Sequence, residues 1–302
     1  MNTVTKWVSA MRLRTLPLSI SGIIIASCLA EYNGVFDIKI FIFAILTTLS
    51  YQVLSNLAND YGDGVKGTDN DERVGPTRAL QSGAITKEEM FNAIRINILI
   101  CIAFTVGLIY FSFKAKHFLL ALLFFVIAGV AIKSAIKYTI GDSAYGYKGK
   151  GDVYVFVFFG IISVIGCYVL YAKQIDHVAI LPALTIGLLS TAVLNLNNMR
   201  DIVSDKNANK ITFAVKLGAD KAKKYHYFLI FSAIILSVLF GVLYFTSPYN
   251  LIYFVAYIPL FFHLKKVQKT VIPKDFDPEL KKLALTTVLL AILLGVGHLI
   301  TI

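Results

Sequence analysis

NLANDYGDGVKGTDNDERVGPTRALQSG, residues 56–83, is a polar stretch set into a very apolar chain. It begins while the helix before it should still be running. On a helix, Asn56, Asp60 and Asp63 fall at offsets 0, 4 and 7, which is one face. Carboxylates this close repel unless a positive charge lies between them. A hard divalent cation answers that need, because Mg²⁺ takes one or two carboxylates and completes its shell with water and phosphate oxygens. Arg73 and Arg78 follow in the same stretch, and guanidinium forks suit phosphate.

A second stretch answers the first: NLNNMRDIVSDKNANKIT, residues 195–212. Here Asn197, Asp201 and Asp205 fall at offsets 0, 4 and 8. Each stretch closes an apolar run, Leu46 to Leu54 and Ile186 to Leu194. Either motif alone also reads as a solvated, capped helix end. Asparagines before and cations after in both favour one site with metal held from two sides.

The rest of the chain says where that site lies. Of 302 residues, 57% are hydrophobic and 16% charged, against roughly 25% charged in soluble domains. The mean hydropathy is +0.71. Apolar runs long enough to span a bilayer recur and do not alternate, which predicts an all-α polytopic membrane protein rather than a barrel. The net charge of +11 does not point to nucleic acid, because the basic residues sit in short loops between apolar runs. Cys28, Cys101 and Cys167 all fall inside apolar spans, without metal-type spacing, and read as buried thiols. The five histidines are scattered singly and read as no ligand set.

Residues 1–14 read as an amphipathic interfacial start with Trp7 as an anchor. Nine spans are expected, at 15–32, 37–59, 88–113, 117–137, 152–172, 178–200, 225–246, 249–264 and 282–301. Lys6, Arg12 and Arg14 before the first run resemble a signal peptide, and residues 25–28 a lipoprotein box. The run reads better as the first of many spans. With nine spans, twenty-four lysines and arginines fall on one side and four on the other, Lys39, Lys114, Lys116 and Lys173. That bias puts the N-terminus and the long loops in the cytoplasm and Ile302 outside. Both acidic motifs then face the cytoplasm, at helix ends or around a wet cavity.

Between spans four and five lies YTIGDSAYGYKGKGD, residues 138–152. It reads either as an ordinary re-entry loop or as a third flap bringing Lys148 and tyrosines to the same cavity. Taken together, the residues suit a ligand carrying a diphosphate and a long lipid tail. Mg²⁺ would bridge carboxylates to the diphosphate and stabilise it as a leaving group. Lys and Arg would neutralise the remaining charge, and aromatic faces would stabilise the allylic cation left behind.

These stretches resemble the UbiA superfamily of intramembrane aromatic prenyltransferases, over essentially the whole chain. The resemblance starts at Ala10 to Pro17 and includes residues 56–63 with 67–69. It continues through 73–78, 138–139 and 146–149, and ends with 197–201, Asp205 and 210–212. The segment from Gly67 to Gly83 is most similar to the branch that prenylates 1,4-dihydroxy-2-naphthoate. The resemblance implies one domain over residues 1–302, with nine helices around a cavity capped by cytoplasmic loops, in a bacterial cytoplasmic (inner) membrane. It implies two Mg²⁺ ions held by Asn56, Asp60, Asp63, Asp201 and Asp205, with the four aspartates catalytic. It further implies that Arg73, Arg78, Lys148 and Lys210 approach the substrate phosphates, Arg12 and Tyr138 the aromatic acceptor, and that Asn198 binds substrate. The partners implied are a polyprenyl diphosphate, dihydroxynaphthoate and the lipid bilayer. The acceptor carbon would lose its carboxylate as CO₂, giving demethylmenaquinone, a step of menaquinone biosynthesis. Departures from the family pattern are Gly64 where the last acid often stands, Asn209 for Gly, and Ala144, Lys150 and Asp152 for Pro, Leu and Glu.

Two alternatives compete. One keeps the class and changes the acceptor, for example to 4-hydroxybenzoate. The other is a cation-coupled transporter, which would favour acids at mid-span and paired broken helices. The acids here cluster at cytoplasmic ends beside phosphate-type cations.

Overall fold

A computed structural model describes residues 3–70, 73–114 and 116–300. The expected position of Ile302 lies outside them. The described residues are helical or irregular, without strands. The helices are α1 (Thr3–Met11), α2 (Leu16–Tyr32), α3 (Ile38–Val65), α4 (Lys87–Phe113) and α5 (Phe118–Lys137). After the middle loop come α6 (Gly151–Ala172), α7 (Ile180–Arg200), the short α8 (Ile202–Asn207) and α9 (Phe213–Leu217), and α10 (Ala219–Leu243). The chain closes with α11 (Tyr257–Lys269) and α12 (Asp277–Leu299).

Local chemistry sets several of these ends. The Asp37 side chain accepts the Lys39 amide to start α3. Thr86 and Glu89 form a reciprocal capping box at the start of α4. Arg12 breaks α1 from α2 with a left-handed φ of 50°. That break separates the amphipathic start from the first span.

Eight segments are long and apolar enough to cross a membrane. Over the ninth expected span, 249–264, the helix is broken: a 3-10 stretch, Pro248–Ala256, leads into α11. Their combined rise of about 37 Å still exceeds the roughly 30 Å of a hydrocarbon core. The segment's two ends touch opposite ends of the bundle. Ser247 donates to the Ile300 carbonyl and Asn250 pairs with His298, at the C-terminal end of α12. At the other end Lys223 donates to the Thr270 carbonyl. The break follows from Pro248, which starts a turn, and Pro259, which removes an amide two residues into α11.

The helices pack around a central space: α2 packs on α3, α6 and α12, α3 on α4 and α5, α6 on α7, and α7 on α10 and α12. α6 is wide-turned, with π geometry over Phe156–Gly166. It meets α7 where Gly160 lies against Gly187; a Cβ at Gly160 would come within 2.7 Å of the Gly187 Cα. This close approach turns Phe158, Phe159, Ile162 and Ser163 into the bundle interior, and π segments of this kind often mark functional sites.

Candidate active site

The bundle encloses a cavity of ≈ 420 Å³. Its head is polar, where the ends of α3 and α7 meet the loops after them. Arg12, Asn56, Asn59, Asp63, Arg73, Arg78, Asn197, Asn198, Asp201 and Lys210 line it there. Below the head comes an aromatic collar. Tyr145 stacks on Tyr154 with ring centroids 3.8 Å apart, and Tyr138 meets Tyr145 edge-on at 5.3 Å. The deep part is apolar, with Leu18, Ile23, Phe124, Ile162, Cys167 and Leu170.

The first motif divides its labour. Asp63 takes 2.8 Å and 3.1 Å hydrogen bonds from the Tyr147 hydroxyl and the Lys210 ammonium. Tyr147 is itself held at 2.6 Å by Thr68. Asp60 accepts the amides of Ala79 and Leu80 at 3.2 and 3.4 Å, so it anchors the loop that carries Arg73 and Arg78. Asn56 lines the cavity and donates to the Met11 carbonyl and to Thr15, tying α3 to the break at Arg12.

The second motif divides its labour too. Both Asp201 oxygens are taken by Arg200, at 2.9 and 2.7 Å. Arg200 also binds Asn197 and forms an ion pair with Asp277 at the start of α12. Burial pushes the Asp201 carboxyl up, but the Arg200 hydrogen bonds and charge outweigh it and leave the group below the usual carboxylate range. Asp205 lies 3.8 Å from Lys210. Burial raises its pKa to about 7, with Lys210 only partly opposing. Lys210 sits closer to Asp63, at 3.1 Å, which explains why it serves Asp205 less. Burial lowers the Lys210 ammonium, while Asp63 and Asp205 together hold it above its ordinary value.

The arginines of the head are crowded and underused. Nε and Nη2 of Arg12 and Nε of Arg78 are buried without hydrogen-bond partners. Arg73 pairs with Asp69, and Arg78 reaches the same carboxylate at 3.8 Å. Burial pushes the Arg78 guanidinium well down, and Arg12 and Arg73 push the same way. Buried orphan donors beside like charges fit a polyanion. Among the described residues no three His, Cys, Asp or Glu side chains form a ready-made metal cluster. The donor chemistry nonetheless fits a hard cation. Carboxylates from both motifs already converge on one positive centre, the Lys210 ammonium.

Of the twelve residues singled out from sequence, nine line the cavity: Arg12, Asn56, Asp63, Arg73, Arg78, Tyr138, Asn198, Asp201 and Lys210. Asp60 and Asp205 stand behind its wall. Lys148 is exposed and outside the lining. Asn59 and Asn197 line the head, yet the spacing argument did not select them for substrate. The histidines are not all single. His226 and His263 meet at 2.9 Å, and Glu279 binds His263 at 2.8 Å, all buried. The separation of 37 positions between the histidines left no local signal of this.

The family model of the UbiA prenyltransferase family matches residues 20–287. The chain belongs to the UbiA prenyltransferase family. It is 39% identical to a protein of Escherichia coli named 1,4-dihydroxy-2-naphthoate octaprenyltransferase, over 91% of this chain and 89% of that one. A Haemophilus influenzae protein of the same name is also 39% identical, over 97% and 96%. The fold is similar to that of a UbiA homolog from Aeropyrum pernix in its apo form, with TM-score 0.71 and 12% identity over 95% and 97% of the chains. It is also similar to an Archaeoglobus fulgidus UbiA homolog bound to GPP and Mg²⁺, with TM-score 0.63 and 15% identity over 97% and 99%. The chain is thus a multi-pass membrane prenyltransferase of this family.

Proposed function

We propose that this chain, acting as one domain over residues 1–302, transfers a polyprenyl group from its diphosphate to 1,4-dihydroxy-2-naphthoate. The observation that carries the reading is the order of surfaces in one cavity: orphan cation donors, then an aromatic collar, then an apolar tail. That order matches a diphosphate, an allylic carbon and a polyprenyl chain. Relatives at 39% identity named for this acceptor support the choice of naphthoate.

Arg73, Arg78 and Lys210 bind the diphosphate and neutralise it as the C–O bond breaks. Tyr138, Tyr145 and Tyr154 face the allylic carbon as positive charge develops. Arg12 orients the acceptor through its carboxylate. The ring carbon bearing that carboxylate forms the new C–C bond, and CO₂ departs leaving its bonding electrons to the ring. Asp63 and Asp205 would hold two Mg²⁺ ions, with Asn56 and Asp60 supporting the first motif and Asp201 the second. When bound, Mg²⁺ supplies Lewis-acid stabilisation of the diphosphate leaving group.

The orientation proposed is a bacterial cytoplasmic membrane with the polar head facing the cytoplasm. It rests on the charge bias and on the segment 248–269, whose two ends touch opposite ends of the bundle. Cysteine labelling of loop 61–87 from the cytoplasmic side only is the expected result; labelling from outside would reverse it.

The deciding assay uses purified protein, a prenyl diphosphate and each acceptor, with mass spectrometry of the product. Expected is a prenylated, decarboxylated naphthalene-diol, lost in EDTA and restored by Mg²⁺. A product that keeps its carboxylate, or turnover only with 4-hydroxybenzoate, would overturn the acceptor while leaving the family membership intact.

A further inference from the structure

Lys210 makes the ion pairs that join the two acidic motifs among the described residues: its Nζ lies 3.1 Å from Asp63 and 3.8 Å from Asp205. The two aspartates are 142 positions apart in sequence, and each comes from a different helix end. The backbone aims Lys210 there. Asn209 adopts a left-handed φ of 56°, a conformation Asn tolerates better than most side chains. The Lys210 amide donates to the Asp205 carbonyl at 2.8 Å, and the Ile211 amide to the Tyr147 carbonyl at 3.2 Å. The side chain is nearly buried, at 11% exposure.

An ammonium 3.1 Å from Asp63 cannot share that oxygen with a cation that needs contacts of about 2.0–2.1 Å in a near-octahedral shell. A bare divalent ion entering between the motifs would expel Lys210. The freed ammonium would then face a head already crowded by Arg12, Arg73 and Arg78, where Asp69 is already shared by Arg73 and Arg78. A diphosphate arriving with the cation removes that penalty, because its oxygens accept the ammonium.

Resting on the reading of this cavity as a metal–diphosphate site, we infer that Lys210 is a tethered placeholder cation. It holds the inter-motif position in the ligand-free protein, and the site therefore takes up the metal together with the diphosphate rather than the metal alone.

The test measures Mn²⁺ binding, as a spectroscopic stand-in for Mg²⁺, by electron paramagnetic resonance on the full chain in detergent. Wild type, Lys210→Gln and Lys66→Gln are compared without diphosphate. Lys66 is the control, because it removes the same charge nearby. Its Nζ lies 4.1 Å from the Tyr147 ring centre and donates to the Gly141 carbonyl, without bridging the motifs. Expected is about tenfold tighter Mn²⁺ binding in Lys210→Gln and less than about threefold change in Lys66→Gln, since a placeholder competes for the site while a neighbour only adds to the field. Equal tightening in both variants, or none in Lys210→Gln, overturns the placeholder.

A second measurement uses wild type alone, so that a poorly folding variant does not leave the idea untouched. Mg²⁺ by itself should leave the wild-type Tm within about 1 °C of its value in EDTA, whereas Mg²⁺ with geranyl diphosphate should raise it by several degrees. A full Tm rise with Mg²⁺ alone overturns the placeholder. Absence of any rise with both ligands overturns the metal–diphosphate reading as well, and so separates the two failures.

Discussion

The two acidic motifs have almost the same spacing and opposite local solutions. At the end of α3, Asp63 faces the Lys210 ammonium and a tyrosine, while Asp60 is spent on the amides of Ala79 and Leu80. At the end of α7, Asp201 is clamped by an arginine that is 1% exposed and tied to two further partners. Asp205 is left to share Lys210. Each motif thus contributes one acid to fixing the scaffold and one to the junction between motifs. Equal spacing did not mean equal employment, and the four carboxylates are distinguishable by experiment.

The largest expected effect lies at the clamp. Arg200→Met leaves the buried Asp201 without its partner and Asp277 with Arg14 alone, which should cost about 3–5 kcal/mol of stability. A large fall in thermal midpoint checks it; an unchanged midpoint would mean that the second motif has no clamp. Next comes Asp63→Asn, which keeps the shape but removes an anion facing the cavity. Turnover should fall by about 10²–10³ while the midpoint falls less than in Arg200→Met, because Lys210 keeps Asp205 as a partner. Normal turnover in a folded Asp63→Asn protein would return the transporter reading to contention.

Asp60→Asn sharpens the contrast within one motif. It should lower stability by about 1–3 kcal/mol, because the Ala79 and Leu80 amides lose a carboxylate acceptor. Denaturation measured alongside activity should show both falling together, whereas Asp63→Asn loses mainly activity. Tyr147→Phe removes one hydrogen bond to Asp63 and should reduce kcat by about two- to tenfold. A steady-state comparison with Thr68→Val, which loses only the outer hydroxyl, should show a smaller drop. The smallest effect belongs to Asp176→Asn, at the opposite end of the bundle. Asp176 caps a short turn through the Val178 amide, and Asn caps about as well as Asp. Activity and midpoint should both match wild type.

Hydropathy, the charge count and the recurrence of an asparagine–acid pattern were enough, from sequence alone, to specify a helical membrane bundle with two acidic motifs at corresponding helix ends. These signals are local: each span declares itself by its own apolar length, and each loop by its own lysines. Helical offsets also grouped Asn56, Asp60 and Asp63 on one face. They could not say which side of that face meets the cavity. Asp60 and Asp63 differ by about 60° around the axis, and that rotation sends one to the loop at 79–80 and the other to Lys210. Only the assembled bundle decides such rotations, because they depend on which helices become neighbours. The same holds for Lys210, which reaches Asp63 across 147 residues, and for Arg200, which reaches Asp277 across 77. It holds for the close approach of Gly160 to Gly187 between α6 and α7, and for the meeting of His226 with His263. The broken span at 248–269 lies between these cases. Its prolines are plain in the sequence, but its path is seen only in what its two ends touch, the last turn of α12 and the first turn of α10.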